Sequence, residues 1–167
     1  MSRTNEVTMG GNPVTLLGEK ILVGAKAPDF TVLDAGLAPV KLSSQKGKTV
    51  IISVAPSLDT GVCAAQTRRF NEEAAKLDDV AIMCVSVDLP FALGRFCGAE
   101  GIDAVQTLSD HKDLDFGTKY GFIIEEFRLL ARGIVVVGAD GIIKHVEYVP
   151  EVTDHPNYDE ALKIAKA

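Results

Sequence analysis

TVIISVAPSLDTGVCAAQTRRFNEEAAKL, residues Thr49–Leu77, joins an apolar run, a tight polar turn and an amphipathic segment, with one cysteine, Cys63, just past the turn. Thr49–Ala55 is a continuous run rich in β-branched residues, the pattern of a strand buried on both faces and therefore central in a sheet. Beyond the turn, Cys63, Thr67, Phe70, Ala74 and Leu77 recur at helical spacing, so a helix over Thr60–Leu77 presents one face inward. The strand runs directly into the helix, and Cys63 stands in the helix's first turn.

The same alternation continues outward. DDVAIMCVSVD predicts a second buried strand, Val80–Val87, and LPFALGRFCGAEG a short helix that Pro90 starts and Gly98 or Gly101 ends. VQTLSD is a third strand, and SDHKDLDFGTKYG a helix with Ser109 or Asp110 as its cap. GIVVVGADGIIKHVEYV forms two strands around Asp140-Gly141, and NYDEALKIAKA is a closing helix. Upstream, EVTMGGNPVTL alternates around Gly10-Gly11 as a small hairpin, and DFTVLDAGLAPVKLSSQKGK holds short extended pieces between turn residues. Strand–helix alternation implies parallel βαβ units. The order βαβαβα, then hairpin, then helix, is similar to the thioredoxin fold, an α/β class, with an N-terminal β-hairpin extension. No internal repeat or linker interrupts the chain, so residues 1–167 are expected to form one domain.

Composition excludes several functions. With 167 residues, 47% of them apolar and 24% charged, the chain can bury a substantial core. A net charge of −6, with no basic cluster beyond Arg68-Arg69, argues against nucleic acid. The N-terminal stretch MSRTNEVTMGGNPV has no export-signal pattern, and no apolar run approaches the ~18 residues of a membrane helix. A cytoplasmic protein without a membrane partner is expected. Three cysteines, Cys63, Cys84 and Cys97, are an odd count and do not suggest a structural disulfide framework. Neither they nor the scattered His111, His145 and His155 have metal-ligand spacing. No metal or organic cofactor is expected, and the question becomes one of thiol chemistry.

A cysteine in a helix's first turn faces unpaired N–H groups and the positive end of the macrodipole, both of which favour thiolate over thiol. A free thiol, with a pKa of ~8.5, is only a few per cent ionised at neutral pH, and a helix end contributes ~0.3–2 kcal/mol, so a further partner such as an arginine is needed. Cys84, inside VAIMCVSV, reads as inert packing. Cys97, on a short amphipathic helix, stays open on this reading.

Three reactions compete for Cys63. Dithiol exchange calls for C-x-x-C, but the quartet is Thr60-Gly61-Val62-Cys63, with a hydroxyl where the second thiol would stand. Cys63 and Arg69 also have the C-x5-R spacing of cysteine phosphatases, yet the intervening AAQTR has no glycine and favours helix over a phosphate cradle. Peroxide reduction is the third.

PSLDTGVC fits the P-x-x-x-T-x-x-C motif of the peroxiredoxins at Pro56, Thr60 and Cys63. SVDLPFALGRFCGAEG resembles the segment that carries the resolving cysteine in their thiol peroxidase subfamily, the atypical two-cysteine peroxiredoxins; GNPVTL and LLARGIVVVG extend the likeness over most of the chain. The resemblance implies that Cys63 is the peroxidatic cysteine and Cys97 the resolving one. It implies that Thr60 hydrogen-bonds the thiolate and the peroxide, that Pro56 shields the pocket, and that Arg132 stabilises the thiolate and polarises the peroxide, with Arg128 a nearby alternative. Hydrogen peroxide and alkyl hydroperoxides become the expected substrates, thioredoxin the reductant, and a homodimer the assembly. Asp59 beside the motif would oppose a thiolate, so its carboxylate is expected to turn away or to cap the helix. The rival from another class is a non-catalytic redox sensor, in which a Cys63–Cys97 disulfide alters a binding surface.

Overall fold

The computed structural model describes residues 1–45 and 47–167; of the short pieces expected over residues 29–48, position 46 lies outside the described residues. A hairpin of β1 (Ser2–Met9) and β2 (Asn12–Leu17) opens the chain, and short strands β3 (Thr31–Leu33) and β4 (Pro39–Lys41) lead to β5 (Thr49–Val54). Then α1 (Gly61–Ala74), β6 (Val80–Ser86), α2 (Pro90–Glu100), β7 (Gln106–Ser109) and α3 (Asp115–Tyr120) alternate. The chain closes with β8 (Ile123–Ile124), β9 (Leu129–Leu130), β10 (Gly133–Val137), β11 (Ile143–Tyr148) and α4 (Tyr158–Lys166).

The main sheet has seven strands in the order β11-β10-β5-β6-β7-β3-β4. β5, β6 and β7 are mutually parallel, joined by α1 and α2 as crossovers, and β10 lies antiparallel to β5 on its other side. Because side chains alternate across a strand, β5 serves two cores at once. Ile51 packs with Phe70 of α1 and with Ala161, Leu162 and Ala165 of α4; Val50, Ile52 and Val54 pack on the opposite face with Val14, Leu16, Phe116 and Phe122. This two-faced burial is the reason the sequence of β5 is apolar without a break. The arrangement is a thioredoxin-like fold with its N-terminal hairpin laid against it.

The expected hairpin is present and Gly101 is the one of the two offered stops that ends α2, while the end of α1 and the start of α3 need correction. The hairpin does not stand alone: β2 pairs with β8, and β8 with β9, making a second sheet in the order β1-β2-β8-β9. α1 ends at Ala74, three residues before Leu77, and α2 runs on past Gly98 to stop at Gly101, whose φ of 66° takes the left-handed C-cap conformation. α3 begins at Asp115, much later than a cap at Ser109 or Asp110 implies. Asp110 still serves that helix, from a distance along the chain, since its carboxylate accepts from the N–H groups of Phe116 (3.0 Å) and Gly117 (2.8 Å).

Candidate active site

At the C-terminal end of β5 the chain passes through buried Ala55 and Pro56, then turns over Ser57–Thr60 into α1. Thr60 is the N-cap: its backbone is extended, and its Oγ1 accepts from the N–H of Cys63 at 3.4 Å while donating to the carbonyl of Ser57 at 3.2 Å. The hydroxyl thus serves the helix end, and its single proton is directed to backbone. Asp59 is exposed and takes no part in capping; its N–H bonds the Ser57 hydroxyl. Cys63 is fully buried in the first turn.

Arg132 meets it from the other side of the fold. It lies between β9 and β10 and is itself only 2% exposed. Its Nη2 donates to Cys63 Sγ at 3.0 Å, its Nη1 to Gln66 Oε1 at 2.7 Å and its Nε to the carbonyl of Val152 at 2.6 Å. Gln66, one turn after Cys63 on the same face of α1, is fully buried and anchored in turn, donating to Ser53 Oγ (2.6 Å) and the carbonyl of Val54 (3.3 Å). Burying a guanidinium is costly unless an anion accompanies it. Yet Gln66 and Val152 are neutral, and among the described residues no carboxylate pairs with Arg132, so Cys63 is its one ionisable hydrogen-bond partner. The site is therefore charge-complementary to a thiolate. Gly133, the next residue, lets β10 run this close to its neighbours, since a Cβ there would meet the carbonyl of Glu147 and the ring of Phe122.

The other sequence candidates fall elsewhere. Arg128 is exposed, with Nη2 on the carbonyl of His111, and Arg69, the arginine of the phosphatase-like spacing, pairs with Asp159 (2.9 Å) and Glu73 (3.4 Å) on the surface. Cys97, in the middle of α2, is half-buried with its Sγ 3.1 Å from the Thr107 hydroxyl, and all three cysteines are free thiols. Cys84 is 5% exposed on β6, where burial pushes its thiol up to about 12. The nearby charge of Cys97 adds to that shift, and hydroxyls of Ser53 and Thr67 oppose it.

Two participants escaped the sequence reading. Gln66 looked like a polar residue among alanines, although its i+3 spacing from Cys63 placed it on the same face. Asp88 is the other: its carboxylate accepts from Ser57 Oγ (2.7 Å), Leu58 N (2.8 Å) and Ser86 Oγ (3.0 Å). It thereby ties the loop before Cys63 to the start of α2, the helix of Cys97. A cavity of about 520 Å³ lined by Lys26, Asp29, Val137 and Asp140 includes none of these site residues. Among the described residues no group of three His, Cys, Asp or Glu could hold a metal ion, and no helix is long and apolar enough to cross a membrane.

Comparison with known proteins agrees with this geometry. The family profile described as Redoxin matches residues 22–162. The thiol peroxidase of Bacillus subtilis (strain 168) is 57% identical over 162 residues, covering 97% of each chain, and that of Listeria monocytogenes serotype 4b is 53% identical over 161 residues, 96% of this chain and 98% of the other. Among solved structures, a peroxiredoxin-like protein from Aquifex aeolicus superposes with a TM-score of 0.91 at 38% identity over 98% of both chains. A thiol peroxidase from Chromobacterium violaceum, at 21% identity, shares the fold with a TM-score of 0.84 over 96% of this chain and 94% of that one.

Proposed function

The chain belongs to the redoxin family, among its thiol peroxidases, and from that premise we propose that Cys63 is the thiol that attacks peroxide and Cys97 the thiol that resolves the product. The protein is a peroxide-reducing oxidoreductase that draws electrons from a thioredoxin-type dithiol. The observation that supports the assignment of Cys63 is the guanidinium of Arg132, buried and without a carboxylate, 3.0 Å from its sulfur.

The Cys63 thiolate attacks one peroxide oxygen in line with the O–O bond. That bond breaks, and the second oxygen leaves with a proton as water or alcohol. Arg132, able to donate to both sulfur and oxygen, stabilises the charge as it passes from one to the other. Cys63 is left as sulfenic acid; the Cys97 thiolate attacks its sulfur, hydroxide departs with a proton as water, and a disulfide forms. An external dithiol reduces it by exchange. Thr60 and Pro56 shape the approach, Thr60 by fixing the first turn of α1 and Pro56 by walling the pocket.

Both cysteines sit in formed helices, and Cys63 is fully buried, so resolution requires local unwinding of the first turn of α1, of α2, or of both. We assign hydrogen peroxide and alkyl hydroperoxides as substrates, thioredoxin itself as the reductant, a homodimer as the assembly, one domain over 1–167, and the cytoplasm as the location. The test is peroxide-dependent oxidation of thioredoxin by the purified protein. Repeated turnover that vanishes in Cys63→Ser supports the reading; a single stoichiometric oxidation points instead to a sensor.

A further inference from the structure

The N-terminal hairpin is the part of the fold the chemistry leaves unexplained, and its turn leads back to the active site. Gly10 and Gly11 both have positive φ, 60° and 83°, in a two-residue turn whose N–H groups point at one carboxylate, that of Glu151, at 3.1 and 2.7 Å. Glu151 also accepts from Thr8 Oγ1 (2.9 Å), Thr153 N (2.9 Å) and Thr153 Oγ1 (2.8 Å). Backbone pairing reinforces the junction, with Thr8 N on the carbonyl of Pro150 (2.7 Å) and Val152 N on the carbonyl of Thr8 (2.8 Å).

The segment gripped in this way is the one that holds Arg132. The carbonyl of Val152 accepts from Arg132 Nε, and Val149 N donates to the carbonyl of Arg132 at 3.0 Å. The segment belongs to the connection between β11 and α4, and over 149–153 it lies outside any strand of the main sheet. The hairpin thus holds Val152 by its N–H, through the carbonyl of Thr8, while the Val152 carbonyl takes Arg132. The bonds from Thr153 N and Gly11 N hold the Glu151 carboxyl down at about 2, so this grip is anionic throughout the neutral range.

We propose that Glu151 is a positioning residue for the peroxide reaction, acting through Val152 on Arg132, and that the N-terminal hairpin is the brace against which this arginine is aimed at Cys63. The proposal rests on Cys63 being the attacking thiol. A brace of this kind governs the direction of Nη2 rather than the presence of any reacting group, so its loss slows attack without removing it.

The test is a double-mutant cycle on the full-length reduced protein, following Cys63 oxidation by hydrogen peroxide with rapid quenching and mass spectrometry. Glu151→Ala is expected to slow the bimolecular step by about tenfold and to move its pH profile to higher pH. In an Arg132→Met background the same change is expected to cost less than about twofold, because the residue it acts through is gone. An unchanged rate and profile overturns the proposal, as does a loss of equal size in both backgrounds, which would mark a general effect on the fold. If Glu151→Ala fails to fold, Thr8→Val removes one bond to the carboxylate and keeps the backbone; about a threefold slowing that disappears without Arg132 is then expected, and its absence overturns the proposal. Failure of the wild-type protein to oxidise at Cys63 would instead sink the underlying assignment, and the wild-type control reads that directly.

Discussion

Cys63 and Cys84 are both buried, at 0% and 5% exposure, and stand on neighbouring elements, yet their surroundings differ in one decisive respect. Cys84 on β6 has hydroxyls and a neighbouring thiol but, among the described residues, no cation acting on it, and burial carries its thiol up to about 12. At neutral pH a group of that pKa is ionised in about one molecule in 10⁵. Cys63 is buried as deeply, but against a guanidinium and at a capped helix start. Low dielectric penalises a lone charge and strengthens a paired one, so burial silences the Cys84 thiol, whereas Cys63 has a guanidinium within hydrogen-bond reach.

The largest test of that contrast is to remove each thiol. Cys63→Ser should lower peroxidase turnover by more than ~10³-fold, whereas Cys84→Ser should stay within about twofold; equal losses in two well-folded variants would erase the distinction. Next is the cation. Arg132→Met should slow Cys63 oxidation by ~10²-fold and displace its pH profile upward, while leaving the rate of any reaction at Cys84 unmoved. Gln66→Ala removes the neutral hydrogen bond that orients Nη1 and should cost about tenfold in the same rapid-quench assay; a normal rate would mean that Val152 and Cys63 suffice to aim the guanidinium.

A carboxyl gives the smallest test. Asp110 is 2% exposed, and burial pushes its carboxyl up to about 6 despite the N–H groups of Gly117 and Phe116. Like Cys84, it has no cation among the described residues to set against desolvation. A raised carboxyl pKa means that the folded state holds the proton more tightly than the unfolded chain. This contribution to stability is fully present below pH ~4 and is lost as pH rises through about 6, by at most ~3 kcal/mol. Urea unfolding should therefore show wild type losing stability relative to Asp110→Asn between pH 4 and pH 7. A difference that does not vary with pH would contradict the burial argument.

What the sequence revealed and what it hid follow from the range of the interactions. β5, α1 and the position of Cys63 were legible because period and capping are local, and the fold class followed from their alternation. The role of Arg132 came only through family resemblance, since its meeting with Cys63 depends on β10 pairing beside β5, with Gly133 opposite Val54. Gln66 and Asp88 act through side-chain hydrogen bonds to partners distant in the chain, which the local pattern around them does not encode. β8 and β9, two residues each, are too short to show an alternation, and with them the second sheet stayed hidden. The late start of α3 was missed because Asp110 reaches its N–H groups across five intervening residues instead of standing at the cap.

The claim that a paired cation, and not burial, selects the reactive thiol is tested most directly by treating reduced Cys97→Ser protein with one equivalent of hydrogen peroxide in the presence of a carbon-acid trap for sulfenic acid, followed by peptide mapping. The account predicts a single adduct, on Cys63, and its loss when Arg132→Met is added under the same brief exposure. Trapping at Cys84, or trapping at Cys63 that persists undiminished without Arg132, would contradict it.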